Sequence, residues 1–157
     1  MDMNRAMAAL LGGTSVNCTL ASPLARIASD GFAIDDGCYV FRGVSKVTTP
    51  TMSSFPDRTG YEAFVNSFHV EDYDSVSPVA QAILFVTEVF RHWNARESVA
   101  TLVAILSADE FSVVARFHLR RDGERWLSDN IEGYEDPVMS VDSKENFQSL
   151  MRSLLRN

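Results

Sequence analysis

The chain has 157 residues, of which 46% are hydrophobic and 22% are charged, a usual balance for a soluble globular protein of one domain. Its 14 lysines and arginines are outnumbered by 21 aspartates and glutamates, so the formal net charge is -7. A negative field repels nucleic-acid phosphates and anionic membrane surfaces, which argues against both as direct partners. A basic protein partner is favoured instead, because opposite charges steer association.

The two cysteines, Cys18 and Cys38, have no histidine close to them in sequence. Such a pair makes neither a zinc site nor a disulfide framework, so we expect free thiols in a reducing compartment. The apolar segment that follows Arg5 is short for an export signal, and Asp2 lies where such a signal is positively charged. No stretch approaches the roughly 20 apolar residues that span a bilayer. We therefore expect a cytoplasmic protein.

The first part of the chain predicts short helices followed by a hairpin. Asp35, Asp36 and Gly37 form a hairpin-turn signal between two β-prone segments. Residues 1–30 are ambiguous and are interpreted as a helical N-terminal segment. The predicted elements are a helix at residues 3–11, a second helix from residue 23, strands within residues 31–48, and a loop at residues 49–58.

Two helices are predicted in the middle of the chain. Thr59 is the expected N-cap of the first, and the second is expected to begin at Ser77 and Pro78. The apolar residues of the second helix recur over residues 79–93, which places it in the centre of the core. In the first helix, the apolar residues that share one face are Tyr61, Phe64, Val65 and Phe68.

An antiparallel meander and a closing helix are predicted next. Phe111 begins a strand whose apolar face alternates with a polar face bearing Arg116 and His118, interpreted as a solvated or interface surface. Asp142 and Glu145 resemble a capping box before the last helix. The predicted strands are residues 100–106, 111–119, 125–127 and 137–141, and the helix carries Phe147, Leu150, Met151, Leu154 and Leu155.

This order predicts a single α+β domain over residues 1–157, with an antiparallel β-sheet packed against two central helices and a C-terminal helix. The sequence contains no zinc-binding HExxH or CxxC pattern, no phosphate-binding loop and no nucleophile elbow. We therefore expect no catalytic residues, no metal and no cofactor. The protein is predicted not to be an enzyme.

Two acidic clusters, each beside a tyrosine, are the candidate partner-binding residues. From Tyr61 to Ala80 the sequence has four acidic residues and no lysine or arginine. From Ser128 to Asp142 it has five acidic residues and again no lysine or arginine. A tyrosine can supply buried area in an interface while carboxylates steer association, although two solvated loops would also explain the pattern. The predicted contacts are Glu71, Asp72, Tyr73 and Asp74 in one cluster, and Asp129, Glu132, Tyr134, Glu135 and Asp136 in the other.

From Thr59 onward the chain resembles small bacterial immunity proteins that accompany secreted polymorphic or contact-dependent toxins. The resemblance is carried by residues 60–70, 117–127, 132–134 and 138–141. It implies a cytoplasmic protein, monomeric or weakly dimeric, that binds a cognate toxin domain and blocks it. Such families have no catalytic residues to carry over.

Two other functions fit the same sequence. A secretion chaperone or adaptor would also be a small acidic α+β protein, and it would form a tight dimer. A small-molecule-binding domain would need a pocket between the sheet and the helix at residues 78–93, with His92 or His118 in it.

Overall fold

The structure is a computed structural model that describes residues 1–44, 51–97 and 99–156. Short 3-10 helices at Met52–Ser54, Val70–Asp72 and Ile131–Gly133 connect the longer elements. The strands and α-helices are, in chain order, β1 Asp2–Met3, α1 Arg5–Gly12, α2 Ser22–Asp30, β2 Phe32–Asp35, β3 Cys38–Phe41, α3 Arg58–Val65, β4 Ser67–His69, α4 Pro78–Arg96, β5 Leu102–Ala108, β6 Val113–Leu119, β7 Val138–Asp142 and α5 Phe147–Leu154. The predicted α+β class is confirmed.

The main sheet has the strand order β1-β7-β5-β6-β4, and every pairing in it is antiparallel. Successive side chains of a strand point to opposite faces. In β5, Leu102, Ala104 and Leu106 therefore face the helices, whereas Val103 and Ile105 belong to a small cluster on the outer face. The side chains of β5 are almost all buried because both faces of this central strand are covered.

Helix α4 lies against the inner face of the sheet and forms the centre of the core. Phe85 of α4 is fully buried, and its ring packs against those of Phe68 and Phe117 with centroid distances of 5.2 and 5.5 Å. Phe41 of the hairpin packs edge-to-face on Phe68 at 5.1 Å. Each buried ring contributes roughly 2–3 kcal/mol. The expected central position of this helix is confirmed.

The hairpin β2–β3 forms its own two-stranded sheet. Its turn residues Asp36 and Gly37 have φ angles of 50° and 75°, the type I′ geometry that matches the twist of the flanking strands. The predicted turn is confirmed, and the helices predicted near the N-terminus are present as α1 and α2.

Helix α3 differs from the prediction in its cap, its length and its buried face. Asp57 caps it by accepting the N–H of Gly60 at 2.7 Å, so Thr59 is not the cap. The helix ends at Val65, and Phe68 lies in β4 instead. Within the helix Glu62 is fully buried, whereas Phe64 is 51% exposed.

Glu62 is buried and Phe64 is exposed because a polar junction joins α3 to the hairpin and β6. Glu62 accepts the backbone N–H groups of Tyr39 and Leu119, and Asn66 accepts that of Phe41. These side chains satisfy strand edges that would otherwise be buried without partners. Helix α3 therefore lies along the edge of β6, and α4 alone occupies the centre of the inner face.

Two further predictions differ at the C-terminal end. Residues 125–127 are an irregular loop and not a strand. Helix α5 is capped by Asn146, while Glu145 accepts the N–H of Asp142 at 2.9 Å in the turn before it.

The loop predicted at residues 49–58 lies partly outside the described residues, and its last residue, Arg58, begins α3. No helix in the described part of the chain is long and apolar enough to cross a membrane.

Candidate protein-binding surface

Four strands of the main sheet have their ends at one side of the molecule. Ala108, at the end of β5, pairs with Val113 at the start of β6, and Ser107 pairs with Val138 at the start of β7. His69, the last residue of β4, pairs with Val114. Neighbouring strands lie about 4.8 Å apart, so these four ends span about 14 Å.

The loops that leave this edge carry the first predicted acidic cluster and, apart from Asp129, the second. The first cluster follows β4 and the second precedes β7, so the fold brings together two segments that are far apart in sequence. The turn between β5 and β6 adds Asp109 and Glu110, which were not among the predicted contact residues. We name this surface the acidic end, and its carboxylates are Glu71, Asp72, Asp74, Asp109, Glu110, Glu132, Glu135 and Asp136.

The charge of the acidic end is not balanced within its own loops. Residues 69–77, 109–113 and 130–137 contain no lysine or arginine. Four of the carboxylates, those of Asp72, Glu110, Glu135 and Asp136, are exposed and accept no hydrogen bond from another described residue. They are therefore free to contact a partner.

Glu71 connects the loop after β4 to the start of β6. Its Oε2 accepts the backbone N–H of Val113 at 2.9 Å, and its Oε1 lies 3.0 Å from Nδ1 of His69. Desolvation raises the pKa of Glu71, but the hydrogen bonds from Val113, from its own backbone and from His69 outweigh it and lower the pKa overall. The carboxylate thus stays ionised while it holds the loop after β4 against the start of β6.

Asp74 and Asp109 fix the turns in which they lie. One oxygen of Asp74 accepts the N–H groups of Val76 and Ser77, and one oxygen of Asp109 accepts those of Phe111 and Ser112. These backbone hydrogen bonds lower the pKa of both carboxyls. Both groups add negative charge to the surface, and both loops are ordered before any partner binds.

Large apolar side chains are exposed between these carboxylates. Val76 is 89% exposed and Phe111 is 84% exposed, while Tyr73 and Tyr134 are each 37% exposed. Phe111 was predicted to lie on the buried face of a strand, which is wrong. The strand begins at Val113 because the Asp109 carboxylate captures the two preceding N–H groups and turns Phe111 outward.

The second cluster is only partly available for contact. Glu132 accepts the N–H of Arg5 at 3.1 Å near the start of α1, and the Tyr134 hydroxyl accepts the N–H of Ser128 at 2.9 Å. Buried Asn4 donates to the backbone carbonyls of Tyr134 and Asp136 and so fixes the loop. Asp129 is paired with Arg125 and lies over the outer face of the sheet, away from the acidic end.

His118 does not lie on a solvated surface as its alternation with Arg116 suggested. It is only 6% exposed, because the loop that follows β6 folds back over the outer face of the sheet. Trp126 of that loop lies over Arg116, with the guanidinium carbon 5.7 Å from the ring centroid. Burial lowers the pKa of His118, so the imidazole is neutral at pH 7.

The two histidines considered for a small-molecule carrier each line a cavity. The space between the sheet and α4 is filled by core side chains. A cavity of about 570 Å³ lies on the opposite face of the sheet and includes His118. Another cavity, of about 550 Å³, is lined by His92 together with Phe32, Tyr39 and Trp93.

Neither cysteine forms a disulfide, as predicted. Cys38 is buried, and desolvation raises the pKa of its thiol, so the group is protonated at neutral pH. Within the described ranges, no three histidine, cysteine, aspartate or glutamate side chains lie together as ligands of a metal ion would.

The fold and this surface define an α+β protein with an acidic, partly apolar end. The chain belongs to the Uncharacterized protein PM0498 family, which matches residues 2–153. It is 34% identical over 100 residues to Uncharacterized protein PM0498 of Pasteurella multocida (strain Pm70). That alignment covers 57% of this chain and 63% of the relative, so it spans less than two thirds of the relative's length. No solved structure matches the chain.

Proposed function

We propose that this protein is a cytoplasmic immunity protein that neutralises a cognate toxin domain by binding it stoichiometrically through the acidic end. The observation that carries the proposal is the exposure of Phe111 and Val76, each more than 80%, between carboxylates with no lysine or arginine in the same loops. The resemblance of the chain from Thr59 onward to immunity proteins supports a toxin domain as the partner. The partner is expected to be basic.

The dimensions of the acidic end suit one interface. A specific complex buries about 800 Å² on each partner, a patch that is wider than the roughly 14 Å between the outer strand ends. Burial of Phe111 would contribute roughly 2–3 kcal/mol, and the surrounding charges would accelerate encounter with a basic surface. The two kinds of residue thus supply affinity and steering separately.

The rigidity of the loops supports binding in this form. Glu71, Asp74 and Asp109 accept hydrogen bonds from the protein's own backbone, while Asp72, Glu110, Glu135 and Asp136 accept none from another described residue. A surface that is already ordered loses little conformational entropy on association, which favours high affinity. The first group therefore shapes the surface, and the second contacts the partner.

The test is co-purification with the C-terminal domain of the protein encoded immediately upstream. We expect a one-to-one complex in which the toxic activity of that domain is suppressed. A triple variant, Glu110→Lys, Glu135→Lys and Asp136→Lys, should associate more than tenfold more slowly and lose most of its salt dependence.

The matched control changes the same charge elsewhere, with Asp30→Lys, Asp122→Lys and Glu124→Lys. These side chains lie outside the acidic end, so the association rate should change little. Equal slowing of both triple variants would show that net charge, and not this surface, drives association. A tight homodimer that does not bind the toxin domain would favour a secretion chaperone instead.

A further inference from the structure

The cavity on the outer face of the sheet contains a hydrogen-bond acceptor that has no partner among the described residues. Its floor is formed by Val103, Ile105 and His118, and its roof by Trp126 and Leu127 of the loop after β6. The volume of about 570 Å³ falls within the range of small-molecule sites. The cavity lies over the middle of the sheet and does not include the acidic end.

The protonation of His118 follows from its neighbours. Nδ1 lies 2.7 Å from the backbone carbonyl oxygen of Leu119, which can only accept, so Nδ1 carries the proton. The residue is more than nine-tenths buried. In this neutral tautomer Nε2 has a lone pair and is an acceptor.

Nε2 opens into the cavity. It has no hydrogen-bond partner among the described residues. Every fully buried side-chain nitrogen or oxygen in the described part of the chain does have a partner, so Nε2 is not fully buried. Nε2 therefore retains contact with open volume, and His118 lines this cavity. An acceptor held in this way by an apolar floor is a recognition group for a donor.

The charges around the cavity disfavour an anionic ligand. Arg120 is paired with Asp142, Arg121 with Glu62, and Arg125 with Asp129. The remaining charged groups of the lining, Asp2, Asp122 and Glu124, form no salt bridge with another described residue. Among the lining residues, an anion would meet these carboxylates without gaining an unpaired cation; Arg116, which contacts the Trp126 ring, is not part of the lining.

We propose that this cavity binds a small, uncharged, largely apolar molecule that donates one hydrogen bond, from a hydroxyl or N–H group, to Nε2 of His118. The apolar part of the ligand lies against Ile105 and the Trp126 indole, and the Arg116 guanidinium contacts the indole ring. This site is separate from the acidic end and does not depend on the proposed toxin partner.

Phenol and anisole provide a matched pair of probes, because they differ in the hydroxyl donor and are otherwise alike in ring and size. Binding is followed by NMR in the full chain, where the two tryptophans distinguish the cavities: Trp126 lines this one and Trp93 the other. We expect saturable shifts of the Trp126 indole and the His118 ring, with phenol binding about fivefold more tightly than anisole.

The variant His118→Leu removes the acceptor and keeps an apolar floor. We expect it to bind phenol and anisole equally, and retained anisole binding shows that the cavity is still formed. His69→Gln, which changes a histidine at the acidic end, should leave both affinities unchanged. The proposal is overturned if wild type binds the two probes equally, binds neither, or responds at Trp93 alone.

Discussion

Glu62 and Arg121 form a two-pronged ion pair, with Nη1 of the arginine 2.7 Å from Oε1 and Nη2 2.9 Å from Oε2. Glu62 is fully buried, and the same carboxylate also accepts the backbone N–H groups of Tyr39 and Leu119. The hydrogen bonds to Glu62 raise the pKa of Arg121 above its usual range. One side chain thus joins α3, the hairpin, β6 and the loop that covers the outer face of the sheet.

Replacement of this carboxylate should destabilise the protein strongly. Glu62→Gln leaves the half-buried Arg121 without its counter-charge and places an amide NH₂ where a backbone N–H needs an acceptor. We expect the free energy of unfolding to fall by about 3 kcal/mol, measured by urea denaturation. The matched control is Arg120→Gln, which breaks the Arg120–Asp142 pair. Arg120 is 58% exposed, so that loss should be below about 1 kcal/mol. Equal losses in the two variants would contradict the role given to Glu62.

Gly31 has a conformation that other residues rarely adopt, with φ 68° and ψ -150° at the end of α2. A Cβ there would also lie 2.6 Å from Nη1 of Arg96, which donates through Nη2 to the carbonyl of Ser29. Gly31→Ala should therefore lower the free energy of unfolding by about 2 kcal/mol. Gly12→Ala is the control, because its Cβ would meet nothing within 4 Å. Gly12→Ala should be neutral or slightly stabilising. An equal loss of stability in the two variants would contradict the role given to the conformation of Gly31.

The buried imidazole of His118 predicts a stability change at mildly acidic pH. Burial lowers its pKa in the folded protein below the ordinary value of 6.5, with Leu119 and Glu62 acting in the opposite direction and Arg121 and Arg120 adding to the decrease. The unfolded chain then binds more protons in this window, so stability is full above about pH 6.5 and falls as pH drops towards the folded pKa.

Urea midpoints between pH 7.5 and pH 5 should therefore decrease more steeply for the wild type than for His118→Gln. The carboxyls with lowered pKa, including Glu71 and Asp74, lose their stabilising effect only at lower pH, below their unperturbed values near 4.5 and 3.8. His69→Gln is the control because its ring is exposed, with 56% of the side chain accessible. A pH dependence unchanged by His118→Gln would contradict the assignment.

Phe111 should contribute to binding but not to folding. Because it is 84% exposed, Phe111→Ser should change the free energy of unfolding by less than about 0.5 kcal/mol. Loss of this aromatic contact should weaken the proposed toxin complex at least tenfold, mainly through faster dissociation, measured by surface plasmon resonance. Val99→Ser is the matched control. Val99 is 86% exposed but lies before β5, at the opposite end of the sheet, so its substitution should leave affinity unchanged.

The elements whose signals are local could be predicted from the amino-acid sequence alone. The Asp36-Gly37 turn follows from its residues alone, because few side chains tolerate positive φ. Helix α4 and strand β5 could be predicted because their long apolar patterns are stable only when these side chains are buried in the core. These features identify the α+β class without knowledge of any distant contact.

The features that depend on contacts between residues remote in sequence are visible only in the folded structure. Glu62 is buried and Phe64 exposed because the edges of β3 and β6 require acceptors, and helical periodicity carries no information about them. His118 is covered by a loop whose path the alternation of β6 cannot predict. Strand pairing likewise brings two acidic clusters more than 50 residues apart to one end of the sheet, where Asp109 and Glu110 join them. The sequence predicted the residue types of the surface, but their assembly depends on long-range backbone hydrogen bonds that no local pattern encodes.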